Sequence, residues 1–204
     1  RYNKREIKMG MEDHAVVLDF LPHGRTEDTR PIYKKDPIAF ALGEEFLTLI
    51  EVIPKVGVEF KSHERILLGK TDREKIQYIK RRVSYRDLSS AAKSELPYAV
   101  EELVDRQKSR FVNFFNEAGA ISTRLHVLEL LPGIGKKLMW EILEERKKKP
   151  FSSFEDITKR IKAISDPKKL IIKRIILELE EEDVKFGKGK YKFFVSPMPQ
   201  RRGR

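Results

Sequence analysis

Cysteine is absent from the 204 residues, which excludes disulfides and any thiolate metal site. The four histidines, His14, His23, His63 and His126, are scattered, and no His-Glu-x-x-His or acidic cluster with ligand spacing occurs, so no metal is expected. A nucleophile elbow, a phosphate-binding P-loop and a dinucleotide fingerprint are all missing. The sequence therefore gives no catalytic residue and no cofactor to expect, and it reads as a non-enzyme. No apolar run approaches the roughly 20 residues of a membrane helix. Arg1 to Met11 is short, polar and basic, unlike a signal peptide, so a cytoplasmic protein without membrane contact is expected.

What is present begins with charge. Lys and Arg number 43 against 32 Asp and Glu, and the excess is uneven: residues 119 to 204 carry 21 basic and 12 acidic side chains, against 22 and 20 before them. Lys-rich solvated helix faces give a similar excess, but its concentration in one half points to an anionic partner for that half. An apolar content of 40% is enough for one large core or two small ones.

The basic half contains Leu131-Pro132-Gly133-Ile134-Gly135-Lys136-Lys137. Gly133 and Gly135 permit a tight reversal and close approach of the backbone to a ligand. A helix starting near Gly135 leaves its first N–H groups without intrahelical partners, with the positive end of its dipole beside two lysines. Helical apolar spacing precedes the turn at Leu125, Leu128 and Leu131 and follows it at Leu138, Met139, Ile142 and Leu143. The pattern from Leu128 to Gly135 resembles the helix-hairpin-helix family. That resemblance implies binding of nucleic acid without sequence preference, through hairpin amides on a backbone phosphate. The alternative is that the glycines serve only as a cap and a loop.

A second copy follows at an offset of 33 residues, aligning Leu128, Leu131, Leu138, Met139 and Ile142 with Ile161, Ile164, Ile171, Ile172 and Ile175. At its turn Ser165-Asp166-Pro167-Lys168 stands for Pro132-Gly133-Ile134-Gly135, adding a carboxylate and a residue with no N–H. The second copy is expected to keep the packing and lose the phosphate site. Ser152 or Ser153 is a candidate N-cap for its first helix, with a carboxylate three residues on.

The first seventy residues read as β, with strands at Ala15 to Leu21, Ile38 to Leu42, Glu45 to Ile53 and Arg65 to Leu68, and a weaker fifth at Val56 to Phe60. A small OB-like barrel is expected. Phe20, Tyr33, Phe40, Phe46 and Phe60 are candidate base-stacking rings, although aromatics at alternate strand positions usually belong to a core. Pro22 to Pro37 is expected to be a surface loop. Thr71 to Arg82 reads as a basic helical segment, and a helix opened by Pro97 carries the stripe Val100, Leu103, Val104, Phe111, Phe114 and Phe115. Val184 to Phe186 and Tyr191 to Val195 read as a β-hairpin, expected to pack on the β-domain.

The predicted fold class is thus α+β and multidomain. Residues 1–12 form a basic segment, 13–70 the OB-like domain, 71–118 a helical connector, 119–183 a tandem helix-hairpin-helix domain with a degenerate second hairpin, 184–196 the β-hairpin, and 197–204 a flexible basic tail.

The segments Val17 to Gly24, Arg110 to Asn116, Thr123 to His126 and Leu128 to Lys137 together resemble an archaeal family classed as domain of unknown function 655. The resemblance implies an N-terminal OB-like part, a C-terminal helix-hairpin-helix part and binding of a nucleotide or RNA, with no known reaction. Asn113, Asn116, Thr123, Arg124 and His126 lie inside these segments and serve either as contacts near the hairpin or as caps and packing groups. Hairpin-containing glycosylases and lyases use a lysine just after the hairpin and a later aspartate, which invites comparison with Lys137 and Asp156. The start of a helix, however, accounts for Asp156 by itself. The expected function is non-sequence-specific binding of RNA or DNA backbone through Gly133, Ile134, Gly135, Lys136, Lys137, Arg124 and His126. The alternative is a protein-interaction scaffold in a nucleic-acid or ribosomal assembly, and ribosomal or DNA-processing proteins are candidate partners.

Overall fold

The computed structural model describes residues 12–69, 73–180 and 191–196. It is an α+β protein with a five-stranded antiparallel sheet, β1 (His14–Leu21), β2 (Ile38–Gly43), β3 (Leu49–Pro54), β4 (Arg65–Leu67) and β5 (Ile76–Arg82), in the order β4-β1-β2-β3-β5. The helices are α1 (Ser90–Arg106), α2 (Lys108–Glu117), α3 (Lys136–Lys148), α4 (Phe154–Arg160) and α5 (Pro167–Glu180). Two compact units divide within α1, between Ala99 and Val100; the helical unit is Val100–Phe193, and Phe194 to Ser196 belong with the β unit. Residues 71–118 are therefore no separate connector.

In the β unit, β2 and β3 are buried along their whole length, which is why they read as continuous apolar runs rather than alternating ones, broken only by Glu51 on β3. One face carries Val17, Ala39, Ala41, Val52, Ile66 and Ile76, with Phe20 and Phe60 edge to face at 5.7 Å. Val16, Leu18, Phe40 and Leu42 are buried as completely. Phe20, Phe40 and Phe60 are thus core or core-edge residues, whereas Tyr33 is 83% exposed.

Two buried carboxylates organise this unit. Glu12 accepts from the backbone N–H groups of Glu45, Phe46 and Thr48 and from the Thr48 hydroxyl at 2.8 to 3.1 Å, and it lies so close to Gly43 that a Cβ there would sit 2.1 Å from it. Glu51 on β3 is fully buried and meets Arg25 at 2.6 Å, Lys80 at 2.8 Å and Arg81 at 3.2 Å. Burial pushes the Glu51 carboxyl up, but hydrogen bonds from Arg25 and Lys80 outweigh it and hold the group below its ordinary range.

Several sequence expectations need correction. The fifth strand is Ile76–Arg82, within the segment expected to be helical, while Val56 to Phe60 is a turn, with Gly57 at φ +77°, followed by residues in no regular element. An edge strand with Gln77, Lys80 and Arg81 exposed looks like a basic helix face; its pairing with Glu51 decides otherwise. Pro97 lies inside α1 rather than opening it. The helix starts earlier because the Ser89 hydroxyl accepts from Ala92 N–H at 3.1 Å, and Gln107 separates α1 from α2. Tyr191 to Val195 is not a strand, because its backbone is bonded elsewhere. Arg174 donates to the Tyr191 carbonyl, Phe193 N–H donates to Glu178 at 3.0 Å, and Ser196 N–H donates to the Phe46 carbonyl at 3.0 Å. Val184 to Phe186, the N-terminal residues 1–11 and the tail 197–204 lie outside the described residues.

Candidate nucleic-acid interface

The two sequence repeats are repeats of backbone structure. Leu131 N–H donates to the Leu128 carbonyl at 3.2 Å, and 33 residues on Ile164 N–H donates to the Ile161 carbonyl at 3.0 Å. The apolar anchors Leu128, Leu131, Ile142, Ile161, Ile164, Ile171 and Ile175 are all buried; Ile172 is only partly so. The element before the first turn is shorter than the apolar spacing suggested, a 3-10 helix at Val127–Leu130.

The turns then diverge. Ile134 N–H donates to the Leu131 carbonyl at 3.1 Å, and Gly133 takes φ +84°, a left-handed conformation that favours glycine. Gly135 is the N-cap of α3, with φ −97° and ψ −177°, and no side chain caps this end. The first intrahelical bond runs from Met139 N–H to the Gly135 carbonyl at 2.9 Å, so the amides of Gly135, Lys136, Lys137 and Leu138 have no intrahelical acceptor. A Cβ at Gly135 would meet nothing within 4 Å, and Gly133, Gly135, Lys136 and Lys137 are all exposed. Neither dihedral angles nor neighbours require glycine at position 135; its effect is to leave the helix end open.

In the second copy Pro167 replaces Ile134, so the corresponding N–H does not exist and α5 begins there, two positions earlier in the repeat than α3. Asp166 fills the helix end itself, its carboxylate accepting from Lys169 N–H at 2.9 Å. Lys168, the counterpart of Gly135, pairs with Glu101 at 3.0 Å and Asp105 at 3.1 Å. The start of α4 is closed too: Ser153 Oγ accepts from Asp156 N–H at 3.1 Å, and Asp156 accepts from Ser152 N–H at 3.0 Å. The Asp156 carboxylate is thus part of a cap, as the start of a helix requires, and its partners hold it below the ordinary carboxylate range, Ser152 N–H first among them.

Among the cations, Lys137 and Arg124 are exposed and neither side chain makes an ion pair among the described residues. Lys136 is partly committed, donating to the Arg124 carbonyl at 2.8 Å with its ammonium 3.6 Å from Glu129. His126, expected from the sequence as a contact, is turned inward. Its Nδ1 accepts from Leu128 N–H at 3.1 Å, and its backbone N–H donates to the Glu129 carboxylate at 2.9 Å. Burial lowers its pKa, and the Arg146 charge lowers it further against a smaller opposing effect of Glu129. His126 therefore shapes the approach to the turn rather than facing a ligand. Ile134 is buried, and its N–H is used within the turn. Asn116 is a packing group, exchanging two hydrogen bonds with the Phe151 backbone at 2.8 and 2.9 Å.

Sequence reasoning missed the support beneath the turn. Arg174 and Glu178 on α5 are buried and paired at 2.8 Å, and Arg174 also donates to the Leu130 carbonyl at 3.3 Å, just before the turn. Their i, i+4 spacing is visible in the sequence, but their burial is not. Among the described residues no three His, Asp or Glu side chains gather as a metal site, and no helix is long and apolar enough to cross a membrane.

The uncharacterised protein MJ0038 of Methanocaldococcus jannaschii is 45% identical over 195 residues, spanning 96% of this chain and 85% of that protein. The crystal structure of Af1531 from Archaeoglobus fulgidus, assigned to the same family model, superposes with a TM-score of 0.81 at 48% identity, over 91% of this chain and all of that one. The model of the protein family of unknown function DUF655 matches residues 11–196, and this chain belongs to that family.

Proposed function

We propose that the protein binds nucleic acid without sequence preference, holding a backbone phosphate at the start of α3 in a helix-hairpin-helix turn. The observation that carries this reading is the contrast between the repeats. The α3 end is open, exposed and flanked by Lys137 and Arg124, whereas the equivalent end of α5 is closed by its own Asp166. Four amides without intrahelical acceptors and a helix dipole suit one phosphate group. The β unit, with five short strands, is OB-like on this reading; among its described residues Tyr33, Tyr78 and Tyr98 are exposed rings, and Tyr78, 45% accessible, lies with Lys80 and Arg81 on an edge strand. Filter binding of labelled RNA and DNA across a salt series tests the proposal. Affinity that falls steeply with salt and varies little with sequence is expected. Undetectable binding of both at low salt would leave the protein-scaffold alternative in its place.

A further inference from the structure

The chain has one tryptophan, Trp140, and it is 57% exposed although tryptophan is highly buried on average. It lies on α3, four residues after Lys136 and three after Lys137, so it shares their face, while Met139 and Ile142 supply the buried face. The ring makes no aromatic or cation–π contact among the described residues. Every base offers a π-face to an aromatic ring, but bases within a continuous duplex have both faces covered by their neighbours.

Resting on the hairpin reading above, we propose that Trp140 is a stacking platform for an unpaired nucleobase next to the phosphate held at the start of α3. The substrate class is then a strand with unpaired nucleotides rather than uninterrupted duplex. Trp140 is also the chain's only indole, so its emission reports on this site alone. The test uses the full chain, a short pyrimidine oligonucleotide and a long blunt duplex at one salt concentration, with Trp140→Ala, Trp140→Phe and Gly135→Asp checked for folding by thermal melting. The oligonucleotide is expected to quench the emission more than the duplex does. Trp140→Ala should bind the oligonucleotide about 10-fold or more weakly and the duplex within about 2-fold of the parent, with Trp140→Phe recovering most of the loss. Normal oligonucleotide binding by Trp140→Ala, or an equal loss on duplex, overturns the proposal. If that happens while Gly135→Asp still abolishes binding, the stacking role alone has failed. If Gly135→Asp binds normally, the hairpin reading itself has failed.

Discussion

Replacing Gly135 by aspartate separates binding from stability with opposite signs. The N-cap residue of α3 has extended dihedrals that aspartate adopts without strain, and a Cβ there meets no atom within 4 Å. Aspartate is a better N-cap than glycine by a few tenths of a kcal/mol, and its charge gains about 0.3 to 1 kcal/mol from the helix dipole, so Gly135→Asp should be as stable as the parent or about 1 kcal/mol more so. The same carboxylate occupies the amides a phosphate would use. Charge-assisted hydrogen bonds contribute about 1.5 to 3 kcal/mol each, so losing even two of them should weaken binding by about 3 kcal/mol or more, roughly 100-fold. Asp166→Lys should behave in reverse. It removes the cap that bonds Lys169 N–H, at a cost of about 1 kcal/mol in stability, and leaves nucleic-acid affinity unchanged or slightly raised. Fluorescence anisotropy with a labelled oligonucleotide at low salt and thermal melting of each variant give the two axes. A folded Gly135→Asp protein that binds like the parent would refute the reasoning, since the turn would then be only a link between helices.

Lys137→Ala should reduce the slope of log affinity against log salt by about one, and Lys136→Ala by less, because the Lys136 ammonium is shared with Glu129 and the Arg124 carbonyl; salt titration of both variants decides. The depressed pKa of His126 means that the unfolded chain takes up the proton first, so its contribution to stability is present above the unfolded value of about 6.5 and is lost as pH falls through the folded one. Denaturant melts at pH 7.5 and pH 5 should show that loss in the parent and less of it in His126→Ser, which keeps a capping oxygen. Gly43→Ala should destabilise the protein by about 3 kcal/mol, because the new methyl displaces the Glu12 carboxylate from the donors that surround it; urea unfolding measures this. Arg174→Met leaves Glu178 buried without its cation and should cost about 3 to 5 kcal/mol by the same assay.

The parts of this fold that could be read from the sequence are those whose chemistry permits one location. The runs Val16-Val17-Leu18, Ile38 to Leu42 and Leu49 to Ile53 belong in an interior, and the sheet places them there. Glu51 inside such a run was the available signal for β5, because a carboxylate in a buried strand requires cations opposite it, and Arg25, Lys80 and Arg81 provide them. Pro97 misled about α1 because a proline interrupts only one backbone bond when the remainder of a helix is packed; Leu96, Ala99, Val100 and Leu103 are all buried. The 33-residue repeat and the closure of its second turn were legible in Asp166 and Pro167. The inward turn of His126 was not, since a histidine that caps a helix and one that meets a ligand look alike until Leu128 N–H is placed 3.1 Å from Nδ1.

On the proposed function, the open end of α3 holds a nucleic-acid phosphate and the closed end of α5 does not. Backbone amide chemical shifts, followed by two-dimensional NMR as an oligonucleotide is titrated into the full chain, test it residue by residue. Large, saturable shifts are expected at Gly135, Lys136, Lys137 and Leu138 and none of comparable size at Lys168 and Lys169. Binding that leaves the four α3 amides unmoved, or that moves both helix starts equally, would contradict it.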